Sequence, residues 1–248
     1  MSTGSSQRPI FEELDRVDTR MGELVLRRRI EPVLQVDLYE VKLGEEFLMS
    51  SLFTVAERAL ATLGLGAHAS GAALDVVVGG LGLGYTAVTA LGDRRVRAVH
   101  VVDALAPVIG WHRDGLLPDA SALTSDRRCA LVHGDFFAWA AGDDIGLPQE
   151  SYDVVLLDID HTPRHHLHPT HGSFYAADGL RRLAARLRAG GVFALWSDEA
   201  PDERFLASAR SVFTTCEAHV VTFPNPITGG EASNTVYVAT TPSPDPAR

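Results

Sequence analysis

From Leu74 onward the chain repeats one pattern: short runs rich in valine, each followed by a segment with helical spacing of apolar residues. The runs are "LDVVVGG", "VRAVHVVDA", "CALVHGD", "YDVVLLDID", "GGVFALWS", "HVVTF" and "NTVYVAT". Strands that read as continuous apolar runs rather than alternating ones are covered on both faces, and intervening helices supply the cover. The pattern therefore predicts an α/β fold built on a seven-stranded, mostly parallel sheet of Rossmann-like type. Only a loop, "PNPITGGEAS", separates the last two runs, so these two pair antiparallel.

Such a sheet with an antiparallel closing hairpin is the one used by S-adenosylmethionine-dependent methyltransferases. Upstream, "GELVLRRRI" and "LQVDLYEVKL" alternate apolar and polar residues and predict an N-terminal β-hairpin layer. "SSLFTVAERALATLGLG" reads as a helix, with Ser50 or Ser51 as its cap and Gly64 or Gly66 near its stop. The expected division is 10–50 for the β-layer and 51–240 for the donor-binding α/β domain. The first nine and last seven residues are small, polar or proline-rich and read as frayed ends.

Ligands of an open α/β sheet sit beyond the carboxyl ends of the strands, so each strand end is a candidate contact. In "DVVVGGLGLGYTAVTAL" the first strand runs into Gly79, Gly80, Gly82 and Gly84, which permit close backbone approach and positive φ. The spacing departs from G-x-G-x-x-G, so a dinucleotide turn fits poorly. The second strand ends at Asp103, 21 residues after Gly82, where a carboxylate accepts hydrogen bonds from ribose hydroxyls. The third ends at Asp135, an acceptor for an adenine amino group, followed by aromatics that can flank the ring. Each of these acids also reads as a plain helix cap. The fourth strand delivers Asp158 and Asp160, whose side chains point the same way if the strand persists, as a base or cation clamp.

The ordered segments "VVVGGLGLGYTA", "VVDALAPVIGWHR", "VHGDFFAW", "YDVVLLDIDHTP", "FYAADGLRRLAARLRAGGVFALW", "RFLASARSVF" and "VTFPNPITGG" resemble the spermidine synthase family over roughly Gly22 to Ala239. The resemblance implies an N-terminal β-layer before an S-adenosylmethionine-type domain, and aminopropyl transfer from decarboxylated S-adenosylmethionine to a polyamine. It also implies that Asp103 binds ribose, Asp135 binds adenine and Asp158 accepts the proton. Asp160 or Tyr175 is the expected neighbour that orients the acceptor. Two features depart from the family: Gly82 stands where its glycine turn carries an acid, and its D-E-x-x-Y pattern is missing, with Glu57 as the only remnant. The turn as written looks more like that of a methyltransferase, its N–H groups open to the carboxylate of intact S-adenosylmethionine. Methyl transfer is therefore the leading expectation, aminopropyl transfer the alternative, and a non-catalytic donor-binding protein the third.

Five of the ten histidines fall in "HTPRHHLHPTH", at 161, 165, 166, 168 and 171. A loop covering the acceptor side is the preferred reading over a metal site or a solvated loop, since prolines interrupt the segment and no metal-ligand spacing is evident. No metal is expected. A net charge of −10 and a pI near 5.4 exclude non-specific attraction to nucleic acid. Cys129 and Cys216 form no ligand or disulfide pattern and read as reduced core residues. With no apolar run approaching the roughly 20 residues of a membrane span, and no signal peptide, the expectation is a soluble, cytoplasmic protein. Its expected partner is a small-molecule acceptor, and a homodimer is compatible with the sequence.

Overall fold

The computed structural model describes residues 9–243 except 70 and 72, so the outermost predicted frayed ends, 1–8 and 244–248, lie outside the described residues. Four antiparallel strands come first, β1 (Phe11–Thr19), β2 (Gly22–Ile30), β3 (Asp37–Leu43) and β4 (Glu46–Ser50), in a simple meander. The N-terminal layer thus has two strands more than the expected hairpin. β1 escapes a reading by alternation because its register shifts between Glu13 and Asp15, with Leu14 as the extra residue. Ion pairs of Arg28 with Glu12 and Asp37, and of Arg27 and Arg29 with Glu40, cross the sheet.

α1 (Val55–Ala67) leads from this layer into the second sheet. The predicted serine cap is not used: Thr54 precedes the helix without a side-chain cap, while Ser51 Oγ accepts from the Tyr39 N–H and ties the loop to β3. Nor does Gly64 end the helix. A Cβ there would lie 2.6 Å from Leu156 Cδ2 and 3.1 Å from Ala194 Cβ, so its missing side chain lets α1 settle directly on the sheet.

The second sheet contains β5 (Leu74–Gly79), β6 (Val96–Asp103), β7 (Cys129–His133), β8 (Tyr152–Leu157), β9 (Leu187–Ser197), β10 (Thr215–Pro224) and β11 (Glu231–Thr240). Its order is β10-β11-β9-β8-β5-β6-β7. β5 through β9 pair parallel, and β11 runs antiparallel to both β9 and β10, as the valine runs predict. Every residue of β5 is buried, as its unbroken apolar reading requires. α2 (Tyr85–Gly92), α3 (Ala106–Arg113) and α4 (Ala120–Thr124) pack with α1 on one face, and α5 (Phe136–Ala141), α6 (Ala177–Ala184) and α7 (Glu203–Arg210) cover the other. At the end remote from the strands' carboxyl ends, the fully buried Asp75 is held by Arg97 and Arg188. Both thiols are free, Cys216 buried and Cys129 partly so. Among the described residues, no helix is long and apolar enough to cross a membrane.

Candidate active site

The carboxyl ends of β5, β6, β7, β8 and β9 open into one cavity of about 570 Å³, roofed by Met21, Val41 and the β4 residues of the N-terminal sheet. Its size and apolar lining with a few polar groups suit a bound small molecule.

Gly80 carries φ +91°, and a Cβ there would fall 2.1 Å from the Asp158 carbonyl oxygen, so only glycine fits where β5 turns against β8. Gly82, at φ +46°, leaves room for the Met49 side chain, which a Cβ would strike at 2.4 Å. Gly80 and Gly82 line the cavity; Gly79 and Gly84 back onto Phe136 and His112 instead. The turn's N–H groups are already spent. Gly80 donates to Val102 O at 2.9 Å, Leu81 to Asp103 Oδ2 at 2.9 Å, Leu83 to Met49 Sδ at 3.2 Å and Gly84 to Leu81 O at 2.8 Å. Gly82 N–H also turns to Asp103. His112 Nε2–H donates to the Gly82 carbonyl at 2.9 Å and pins the turn from below. The expectation that this turn offers open donors to a carboxylate is therefore corrected: Met49 from the N-terminal sheet and Asp103 from β6 consume them.

Asp103 ends β6 in the cavity wall. Its other oxygen accepts from the Leu105 N–H at 2.8 Å; burial raises its carboxyl, and the backbone N–H groups oppose that rise. Asp135 is the N-cap of α5, with Oδ1 accepting from the Phe137 and Ala138 N–H groups, and it lines the cavity beside Phe136 and Phe137. Capping and ligand-facing roles coexist here, because the cap uses one oxygen.

β8 ends at Leu157, so Asp158 and Asp160 do not stay on a common strand face. Asp158 instead meets Glu57 of α1. Burial pushes the Asp158 carboxyl up to about 6, against the pull of the Thr86 hydroxyl that donates to Oδ2 at 2.9 Å. Burial first, then repulsion from Asp158, push Glu57 up to about 8. Glu57, Asp158 and Gly82 share a narrow recess beside the glycine turn. The acid that the sequence reads as a helix-surface group or a remnant is thus part of a carboxyl pair inside the site.

Asp160, 1% exposed, accepts from His171 Nδ1–H at 2.9 Å, from the Tyr175 hydroxyl at 2.8 Å and from the Leu167 N–H at 2.7 Å. Neither Asp160 nor Tyr175 lines the cavity. The expectation that they orient the acceptor is corrected, because their polar atoms are committed to each other and to the histidine segment. That segment spans the cavity more widely than an acceptor-side cover. Leu167, His168, Thr170 and His171 reach the end beside Asp135, where His171 stacks on Phe137 with 3.9 Å between ring centroids. His161 lies 3.8 Å from both Glu46 and Asp198. Among the described residues, no group of three or more His, Cys, Asp or Glu is placed to hold a metal ion.

Several wall residues carry no signal in the linear sequence: Phe47, Phe53, Trp196, Asp198, Phe223 and Asn234. They meet only because the N-terminal sheet folds over β9, β10 and β11. Among the described residues, the charged wall of the cavity is Glu57, Asp103, Asp135, Asp158 and Asp198, with His161, His168 and His171, and it holds no lysine or arginine.

No family model matches the chain. Solved structures do. A spermidine synthase from Thermotoga maritima superimposes with TM-score 0.68 at 15% identity, covering 92% of this chain and 72% of its own. A spermidine synthase in complex with the transition state analogue AdoDATO gives 0.68 at 16% identity with the same coverage. A probable spermidine synthase from Corynebacterium glutamicum gives 0.63 at 16% identity, covering 94% of this chain and 81% of its own. The chain has the fold of these spermidine synthases.

Proposed function

We propose that this chain is a transferase that moves an aminopropyl group from decarboxylated S-adenosylmethionine to an amine. The observation that carries this reading is the charge of the cavity: among the described residues its wall has five carboxyl residues and no lysine or arginine, beside a glycine turn whose N–H groups are spent. An intact methionine tail brings a carboxylate, and a buried carboxylate without partners is strongly disfavoured. A sulfonium with a free ammonium, together with an amine acceptor, finds only favourable charge. The solved spermidine synthase bound to AdoDATO supports the same choice through the shared fold.

The residues present fit such a donor. On this reading Asp103 takes the ribose hydroxyls, and Asp135 with Phe137 takes the adenine; all three line the cavity. Glu57, in the recess beside Gly82, takes the ammonium that no acid in the turn itself can hold, and gives up to solvent, as the ammonium arrives, the proton that burial and Asp158 keep on it. The donor supplies a carbon made electrophilic by its sulfonium, so the protein contributes alignment and proton acceptance. Asp158 accepts the proton that the acceptor amine must lose, and Thr86 holds one of its oxygens in place while the other remains for the amine. Burial that raises Asp158 to about 6 leaves it ionised at neutrality yet a better base than an ordinary aspartate.

Methyl transfer from intact S-adenosylmethionine is the second reading, favoured by Gly82, where the Met49 thioether stands in place of an acid. Equilibrium binding of the two donors separates them. The expected result is at least tenfold tighter binding of the decarboxylated donor, about 1.4 kcal/mol, and release of methylthioadenosine with an amine present. Asp158→Asn should lower turnover by roughly 10²–10⁴ while donor affinity stays within threefold. Equal or tighter binding of the intact donor with release of S-adenosylhomocysteine would establish methyl transfer, and binding without turnover on any acceptor would leave a donor-binding protein.

A further inference from the structure

The sheet order separates the cavity into two halves. Asp103 and Asp135 stand at the ends of β6 and β7, on one side of β5 and β8, whereas β9, β11 and β10 build the other side. In this second half, four aromatic rings come from four places: Phe47 on β4, Phe53 ahead of α1, Trp196 on β9 and Phe223 on β10. Phe53 and Phe223 touch, with centroids 5.7 Å apart. Charge in this half is concentrated at the inner end, where Glu57 and Asp158 sit together. At the outer end Asp198 lines the wall, and with Glu46 it flanks His161 at 3.8 Å.

We infer that the acceptor is a primary amine carried on an apolar, ring-bearing body rather than a linear polycation, an inference that rests on the amine-transfer reading above. Within the inner carboxyl pair Glu57 is taken by the donor's ammonium, which leaves Asp158 to meet one ammonium of the acceptor. Beyond it, the rings offer large apolar surface and edge-to-face or cation-π contacts close to that ammonium. A linear diamine would have to leave its second ammonium among the rings, where desolvation is unfavourable without a carboxylate, or carry it past them to Asp198, whose side chain is 42% exposed and so a weak, water-screened anchor. An aryl body asks for neither.

Calorimetry of phenethylamine, tryptamine, putrescine and spermidine, on the free protein and on protein loaded with methylthioadenosine, tests this. The arylalkylamines should bind at least tenfold more tightly than the linear amines. Phe47→Ala, at a position 46% exposed and so tolerant of truncation, and Phe53→Leu should each weaken aryl binding fivefold or more while methylthioadenosine affinity moves less than twofold. Linear amines that bind equally well or better, and lose tenfold with Asp198→Asn, would overturn the inference and identify Asp198 as a second ammonium anchor. Failure of all four amines to bind would also overturn it. Aryl binding without methylthioadenosine binding would sustain this inference and refute the donor reading, whereas nucleoside binding with preference for linear amines would do the reverse.

Discussion

Glu57→Gln isolates the carboxyl pair without changing the shape of the site. Glu57 is pushed from 4.5 up to about 8 by burial and then by Asp158. At about 1.4 kcal/mol per pH decade, holding its ionised form in the fold is disfavoured by up to roughly 5 kcal/mol. Water reaching this half-buried group lowers the figure to about 2 kcal/mol. The sign follows from linkage: the folded state binds this proton more tightly than the unfolded chain. Stability is therefore full below the unfolded value of 4.5 and is lost as pH rises through about 8. The glutamine side chain of the variant does not titrate and shows no such loss, while Asp158, raised to about 6 by burial, declines with the same sign in both proteins. Urea unfolding followed by tryptophan fluorescence should give nearly equal stabilities at pH 5 and a variant more stable by about 2 kcal/mol at pH 9. Parallel stability–pH curves, or a variant less stable at pH 9, would show that Glu57 is not held against Asp158 and would remove it from the site.

Two further outcomes follow from packing and hydrogen bonding. Asp160→Asn removes the charge on which His171, Tyr175 and the Leu167 N–H converge; thermal unfolding should show a loss of about 2–3 kcal/mol, and titration should show several-fold weaker methylthioadenosine binding as His171 loses its hold against Phe137. Gly64→Ala forces a methyl toward Leu156 and Ala194; the denaturant midpoint should fall by an amount corresponding to about 1–3 kcal/mol, and an unchanged midpoint would mean that α1 can lift from the sheet at little cost.

The order and kind of elements in the second sheet were readable because they depend on local patterning. Valine runs buried on both faces must be central strands, and an acid that ends such a run must stand at the sheet's ligand-binding edge, as Asp103, Asp135 and Asp158 do. β1 was hidden because a bulge breaks the two-residue alternation on which strand reading depends. Gly64 read as a helix stop because the residue carries no record of the Leu156 and Ala194 side chains that need its space.

Partnership among the site's groups was not readable. Asp158 and Asp160 are neighbours in sequence but diverge where β8 ends, whereas Asp158 and Glu57, from distant parts of the chain, converge. The open glycine turn of the sequence is closed in the fold by Met49, a side chain from another sheet. Residue type and spacing by themselves determined the sheet, its direction of opening and the acids along its edge. Tertiary structure alone decided which acids meet, which donors are already spent and which rings line the cavity, because desolvation and pairing depend on distances between elements that the chain keeps far apart.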